Sequence, residues 1–164
     1  MHTSTATVRS GRRVSIDPGE TRAIGRALGR AATPGTLLAL IGPLGAGKTH
    51  LTKGVADGLG VESVVNSPTF ILMNEHVGRL RLYHVDAYRL GDPEEALAAG
   101  LLDERQASGV TVVEWADRLE GWLPGERLEI RIERGARETE RVLSWRAAGT
   151  NHERLAAAAL GERT

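Results

Sequence analysis

The sequence predicts an α/β fold, a three-layer sandwich built on a mixed parallel and antiparallel sheet. Three observations lead there. An apolar run of strand length, Thr36 to Ile41, opens directly into a glycine-rich turn and then a helix-like segment. A β-branched run, Val110-Thr111-Val112-Val113, has the composition of a buried strand. Nearer the end, Leu128, Ile130 and Ile132 alternate with charged residues, as in a hairpin with one buried and one wet face. Strand, helix, strand in succession makes the central part parallel, and the hairpins extend it with antiparallel strands.

The elements follow in chain order. Met1 to Val8 is polar and Ser/Thr-rich, and residues 1–10 are expected to be a flexible lead-in. Arg12 to Ile16 alternates and is expected to be an edge strand. Asp17-Pro18-Gly19-Glu20 spells a helix start, with Asp17 as N-cap and Pro18 in the first turn. Ile24, Ala27, Leu28 and Ala31 then recur at helical spacing, and the helix should end before Thr33-Pro34-Gly35. After the glycine-rich turn, Leu51, Val55 and Leu59 mark one face of a second helix, closed by Gly58 or Gly60.

Ser67-Pro68-Thr69-Phe70 is a polar corner leading into an apolar strand that reaches Met73. Arg79 to Asp86 alternates, with Gly78 marking the turn before it, so the two segments read as a hairpin. Asp92-Pro93-Glu94-Glu95 caps a helix expected from Glu94 to Ala99. Strands are expected at 110–113, 127–133 and 140–145, with Gly135 in the last turn, and a terminal helix from about His152 to Leu160 within a 150–164 tail.

The chain has 164 residues, no net charge and no cysteine. That length suits a single domain spanning 1–164. Zero net charge supplies no basic field for nucleic acid. The lack of cysteine excludes disulfides, thiolate catalysis and thiolate metal sites. No apolar run approaches a membrane span, and the first residues lack the apolar core of a secretory leader, so a cytoplasmic protein is expected.

The chemistry centres on Gly42-Pro43-Leu44-Gly45-Ala46-Gly47-Lys48-Thr49, which fits G-x-x-x-x-G-K-T between a strand and a helix. This is the pattern of the phosphate-binding loop of P-loop NTPases. Glycines let successive N–H groups turn inward around phosphate oxygens, and the helix N-terminus aims further donors at the same anion. Lys48 is expected to reach the β- and γ-phosphates, and the Thr49 hydroxyl to ligate Mg²⁺. The expected ligand is a Mg²⁺-bound nucleoside triphosphate, held by Gly42, Leu44, Gly45, Ala46, Gly47, Lys48, Thr49 and His50. Thr21, in the first turn of the preceding helix, is either a nucleotide neighbour or a surface residue. The Ser67–Phe70 corner either senses the γ-phosphate or is simple turn chemistry.

Ligands of α/β sheets gather at the carboxyl ends of strands. Asp86 and Glu114 both end strands, so both are candidate acids beside the loop, Glu114 the stronger because it follows an apolar run. His84, two residues before Asp86, shares its face and could orient the aspartate or a water. Tyr88 and Trp115 either stack on a ligand or serve the core, and Arg89 is either a phosphate partner or a surface charge. No arginine finger is spelled out.

Taken together, the loop, Ser67-Pro68-Thr69-Phe70, His84-Val85-Asp86-Ala87-Tyr88-Arg89-Leu90 and Glu114-Trp115 resemble the bacterial TsaE (YjeE) family, in order from about Thr21 to Ile132. The resemblance implies an ATPase of the pathway that forms threonylcarbamoyladenosine at position 37 of tRNAs reading codons that begin with A. It implies action with two partners, TsaB and TsaD, with tRNA engaged through the complex. It also implies that Lys48 and Thr49 hold phosphate and Mg²⁺, that Glu114 is the second metal-side acid, that Asp86 assists hydrolysis and that Thr21 lies near the nucleotide. Two positions depart from the family pattern: Pro43 stands where an acidic residue is usual, and His50 where a second threonine is common. Pro43 removes one N–H early in the loop, and His50 bears on contacts to the α-phosphate. Two other readings compete, a P-loop small-molecule kinase and a non-catalytic nucleotide-dependent binding module. The guanine motif N-K-x-D is missing from the sequence, which argues against a GTPase.

Overall fold

The computed structural model describes residues 8–43, 45–65, 73–88, 94 and 104–161. Leu44, the Ser67–Phe70 corner, Arg89-Leu90 and residues 95–99 of the helix expected from Glu94 lie outside the described residues. Within them the chain forms β1 (Val8–Ser15), α1 (Pro18–Ala31), β2 (Thr36–Ile41), α2 (Lys48–Gly58), β3 (Met73–His76), β4 (Leu82–Asp86), β5 (Val110–Glu114), β6 (Leu128–Arg134), β7 (Arg141–Ala148) and α3 (Thr150–Leu160). Short 3₁₀ turns cover Glu104–Ser108 and Ala116–Leu119.

The strands make one seven-stranded sheet in the order β1-β7-β6-β2-β5-β4-β3. β6, β2, β5 and β4 run parallel to their neighbours within this central set, while β7, β1 and β3 join antiparallel. The expected mixed sheet is therefore observed. β2 and β5, in the middle, are buried along their whole length, which explains their continuous apolar spelling.

One core holds Leu38, Leu40, Val110, Val112, Leu128, Ile130 and Ile132 against side chains of α1, α2 and α3. The opposite face gathers Leu37, Ala39, Ile41, Val85 and Val113 under Ala116 and Leu119 of the second 3₁₀ turn. Because side chains alternate along a strand, His84, Asp86 and Glu114 share the helix-covered face with Leu82, Val110 and Val112.

α1 begins as its cap predicts: the Asp17 side chain accepts a hydrogen bond from the Glu20 N–H at 2.7 Å. It then packs on α2 through four glycines, Gly25 and Gly29 against Gly54 and Gly58. A Cβ on Gly25 would stand 2.3 Å from the Leu51 carbonyl oxygen, and one on Gly54 only 2.1 Å from that of Arg22. The helices thus touch backbone to backbone, which fixes the first turn of α1 beside the loop that opens α2.

Several boundaries differ from the expectation: β7 runs on to Ala148 past the expected residue 145, and β1 and β4 start elsewhere. β1 reaches back to Val8, inside the lead-in expected over residues 1–10, because Val8, Arg9 and Ser10 pair with Ala148, Ala147 and Arg146 of β7. These edge residues are exposed, so no apolar alternation announces them. β4 begins at Leu82 rather than Arg79, because the Arg79 guanidinium is drawn to the end of α1, donating to the carbonyls of Gly29 (2.9 Å) and Ala32 (3.0 Å). A cation there satisfies carbonyls that the helix leaves open.

Candidate active site

The loop leaves the end of β2 between two neighbouring strands, β5 on one side and β6 on the other. Gly42 meets β6 so closely that a Cβ would sit 2.3 Å from the Ile132 carbonyl oxygen. Gly47, the N-cap of α2, has φ of 114°, a conformation natural to glycine. Ala46 is fully buried, donates its N–H to the Pro43 carbonyl at 3.1 Å, and has its own carbonyl held by Arg141 Nε at 2.9 Å. Arg141 comes from β7, so two distant strands brace the loop. Gly45 and His50 are exposed.

Lys48 is buried and folded back over the loop, donating to the carbonyls of Gly42 and Pro43, the latter at 2.9 Å. Its ammonium lies 4.1 Å from the centroid of a Trp115 ring, a cation–π distance. Burial pushes the Lys48 pKa down, and the nearby charges of Glu114, Asp117 and Asp86 push it back up. Trp115 has φ of 59°, and is the sole non-glycine at positive φ among the described residues. Such a conformation costs roughly 1 to 3 kcal/mol and persists where surroundings enforce it. Here the ring is held against Tyr88, 4.8 Å between centroids, and over Lys48. Trp115 therefore belongs to the loop's surroundings as well as to the core.

Glu114 is the hub of the acidic side. It is buried at the end of β5, and one oxygen, Oε2, is hydrogen-bonded to His84 Nε2 on β4. The other, Oε1, accepts from Thr49 Oγ1 at 3.3 Å. The Thr52 hydroxyl donates to the Lys48 carbonyl at 2.9 Å and sits 3.5 Å from Glu114 Oε2. His84 thus orients Glu114, whereas the sequence pointed to Asp86 or a water as its partner. Asp86 ends β4 directly opposite Glu114 in the strand register. Its Oδ1 accepts from the Tyr88 N–H at 2.9 Å. Burial raises the Asp86 pKa, reinforced by Glu114, while the Tyr88 bond pulls it down.

The donor set suits a small hard cation. Octahedral Mg²⁺ with oxygens at about 2.0–2.1 Å puts adjacent ligands about 2.9 Å apart, close to the Thr49–Glu114 separation of 3.3 Å. A hydroxyl and one carboxylate oxygen, with waters and phosphates completing the shell, is the usual protein share for this ion. Among the described residues no group of three or more His, Cys, Asp or Glu could hold a metal by itself.

Thr21 is buried, and its methyl group is what faces Gly47, 3.9 Å from where a Cβ would be. Its hydroxyl is shared with Ser15 Oγ at 2.7 Å and with the Asp17 carbonyl at 3.3 Å. Lys48, Thr49, Asp86, Glu114 and Thr21 are thus brought together around the loop, and Leu44 lies outside the described residues. Sequence reading missed the His84–Glu114 bond and the Arg141 brace. The first is signalled by an H-x-D strand beside a strand ending in Glu; the second has no local signal.

Residues 15–143 match the family model described as threonylcarbamoyl adenosine biosynthesis protein TsaE. The chain belongs to the TsaE family. Its similarity to the tRNA threonylcarbamoyladenosine biosynthesis protein TsaE of Bacillus subtilis is 46% identity over 142 residues, covering 86% of this chain and 88% of the relative. The Mycobacterium leprae TsaE is 37% identical over 147 residues, 84% of this chain and 91% of its own. The crystal structure of Bacillus subtilis YdiB superposes with a TM-score of 0.74 at 39% identity, covering 92% of this chain and 94% of that one. The TsaE resemblance read from the motifs is borne out, and every residue of the site described above lies inside the matched range. No helix among the described residues is long and apolar enough to cross a membrane.

Proposed function

We propose that this TsaE-family chain is a cytoplasmic Mg²⁺-dependent ATPase that supports threonylcarbamoyladenosine formation at position 37 of tRNAs reading codons that begin with A, together with TsaB and TsaD. The observation that carries the reading is the Thr49–Glu114–His84 chain beside Lys48. It is a hydroxyl and a carboxylate oriented by a buried imidazole, next to an ammonium in a glycine-rich loop. In this reading the loop and Lys48 hold the phosphates, and Thr49 and Glu114 hold Mg²⁺. Asp86, with its raised pKa, accepts a proton from the attacking water. The bound metal would neutralise charge on the terminal phosphates. No arginine finger is spelled out in the sequence, so turnover by the chain alone should be slow, and partners should stimulate it.

The test is Mg²⁺-dependent release of phosphate from ATP, measured for the chain alone and with TsaB, TsaD and tRNA. Stimulation by the partners, with activity reduced at least a hundredfold in Lys48→Ala, supports the reading. ATP bound but never hydrolysed under either condition overturns it in favour of a nucleotide-dependent binding module. Transfer of phosphate to a small-molecule acceptor instead of water overturns it in favour of a kinase.

A further inference from the structure

Glu114 and Asp86 flank the loop from β5 and β4. The other flank is formed by β6, and its last residue is Arg134. Arg131 pairs with Ile41, the end of β2, so Arg134, three residues further on, stands alongside the loop itself. An Nη of its guanidinium is 3.8 Å from the position a Cβ would take on Gly45. Among the described residues the Arg134 side chain has no hydrogen-bond or ion-pair partner.

The strand pairing makes this unusual. Arg134 lies directly opposite Arg141 in the β6–β7 register, and like charges in that position repel. Arg141 cannot relieve the repulsion through an acid. Its guanidinium is spent on three carbonyls, those of Ala46 (2.9 Å), Glu138 (2.7 Å) and Glu140 (2.9 Å). The flank of the phosphate loop away from Glu114 therefore carries a guanidinium with open donors.

We infer that Arg134 is a nucleotide-contacting residue, binding the α-phosphate and ribose end of the ligand. The inference rests on the ATP reading above. If Mg²⁺ and the terminal phosphates lie at Thr49 and Glu114, a nucleotide crossing the loop brings its α-phosphate and nucleoside toward β6. A charge-assisted bond from a planar guanidinium suits that group. Such a contact is common to ATP and ADP, which separates it from an arginine finger acting on the γ-phosphate.

Equilibrium binding of ATP and ADP to the full chain tests this, in the wild type, Arg134→Ala, Arg134→Lys and Arg131→Ala. Arg131 is exposed on the same strand and reports the general loss of one positive charge. Arg134→Ala is expected to raise Kd for both nucleotides about tenfold. Arg134→Lys should lose less, and Arg131→Ala should leave both constants unchanged. Equal losses in the Arg131 and Arg134 variants, or an unchanged Kd in Arg134→Ala, overturn the inference alone. So does weakened ATP binding with ADP binding intact, which would move the contact to the γ-phosphate. A wild-type chain that binds neither nucleotide overturns the ATP reading and this inference together.

Discussion

His84 Nε2 and Glu114 Oε2 are hydrogen-bonded to each other inside the sheet, from adjacent parallel strands, and both side chains are buried. The bond leaves Glu114 Oε1 directed at the Thr49 hydroxyl. In the proposed Mg²⁺ site this imidazole acts at one remove from the metal, and losing such a partner typically costs 10- to 100-fold in metal affinity or activity. For His84→Ala we therefore expect the Mg²⁺ concentration at half-maximal hydrolysis to rise by about that factor, with metal-free nucleotide affinity preserved. Glu114→Ala should raise it further. A Mg²⁺ titration that superposes on the wild type in His84→Ala would remove His84 from the positioning role.

Asp86 provides a different signature. Its carboxyl is pushed up by burial and by Glu114, so at neutral pH the ionised form costs folding stability. An acid raised in the folded state contributes stability below its unfolded pKa and loses it as pH rises through the folded value. Asp86→Asn should therefore melt higher than the wild type near pH 7.5, with the difference closing toward pH 4. It should also lower kcat by about 10² while nucleotide binding persists, the usual worth of a general base. Thermal melts at the two pH values and steady-state kinetics check both halves.

His152 works in the opposite sense. The Leu37 N–H donates to its Nε2 at 3.1 Å, a bond that only the neutral ring can accept. Burial lowers its pKa, against a bond to the Ala148 backbone and the charge of Glu126, which raise it. A depressed folded pKa contributes stability above the unfolded value of about 6.5 and loses it as pH falls through the folded one. The wild type should lose several degrees of Tm between pH 7.5 and 5.5. His152→Gln, whose oxygen can still accept, should show a shallower decline. Some slope should remain, since burial and His84 also lower the pKa of His76.

Gly54 tests the helix packing. Its missing Cβ leaves room for the Arg22 carbonyl, which a methyl group would approach to 2.1 Å. Alanine favours helices intrinsically by about 1 kcal/mol over glycine, yet Gly54→Ala should destabilise the chain by about 1–3 kcal/mol because the helices must part. Denaturant unfolding measures it. Greater stability in the variant would show that the α1–α2 contact tolerates the separation.

The sequence alone determined whatever is written in local pattern. The Asp17 cap, the buried spelling of β2 and β5, the glycine-rich loop and the two strand-end acids are set by residues close in the chain. Their period and conformational preferences can be read directly, and the TsaE motifs are runs of the same kind. Tertiary structure decided the relationships between segments far apart. The His84–Glu114 bond spans two strands separated by a long connection. The brace of Arg141 on Ala46, and the stand of Arg134 beside Gly45, depend on β6 and β7 being laid next to β2. The glycines of α1 and α2 look like weak points in two helices until their backbones meet. Pattern encodes which face of an element is apolar. Which polar groups then share a strand end is fixed by sheet order and register, and neither is a local property of the chain.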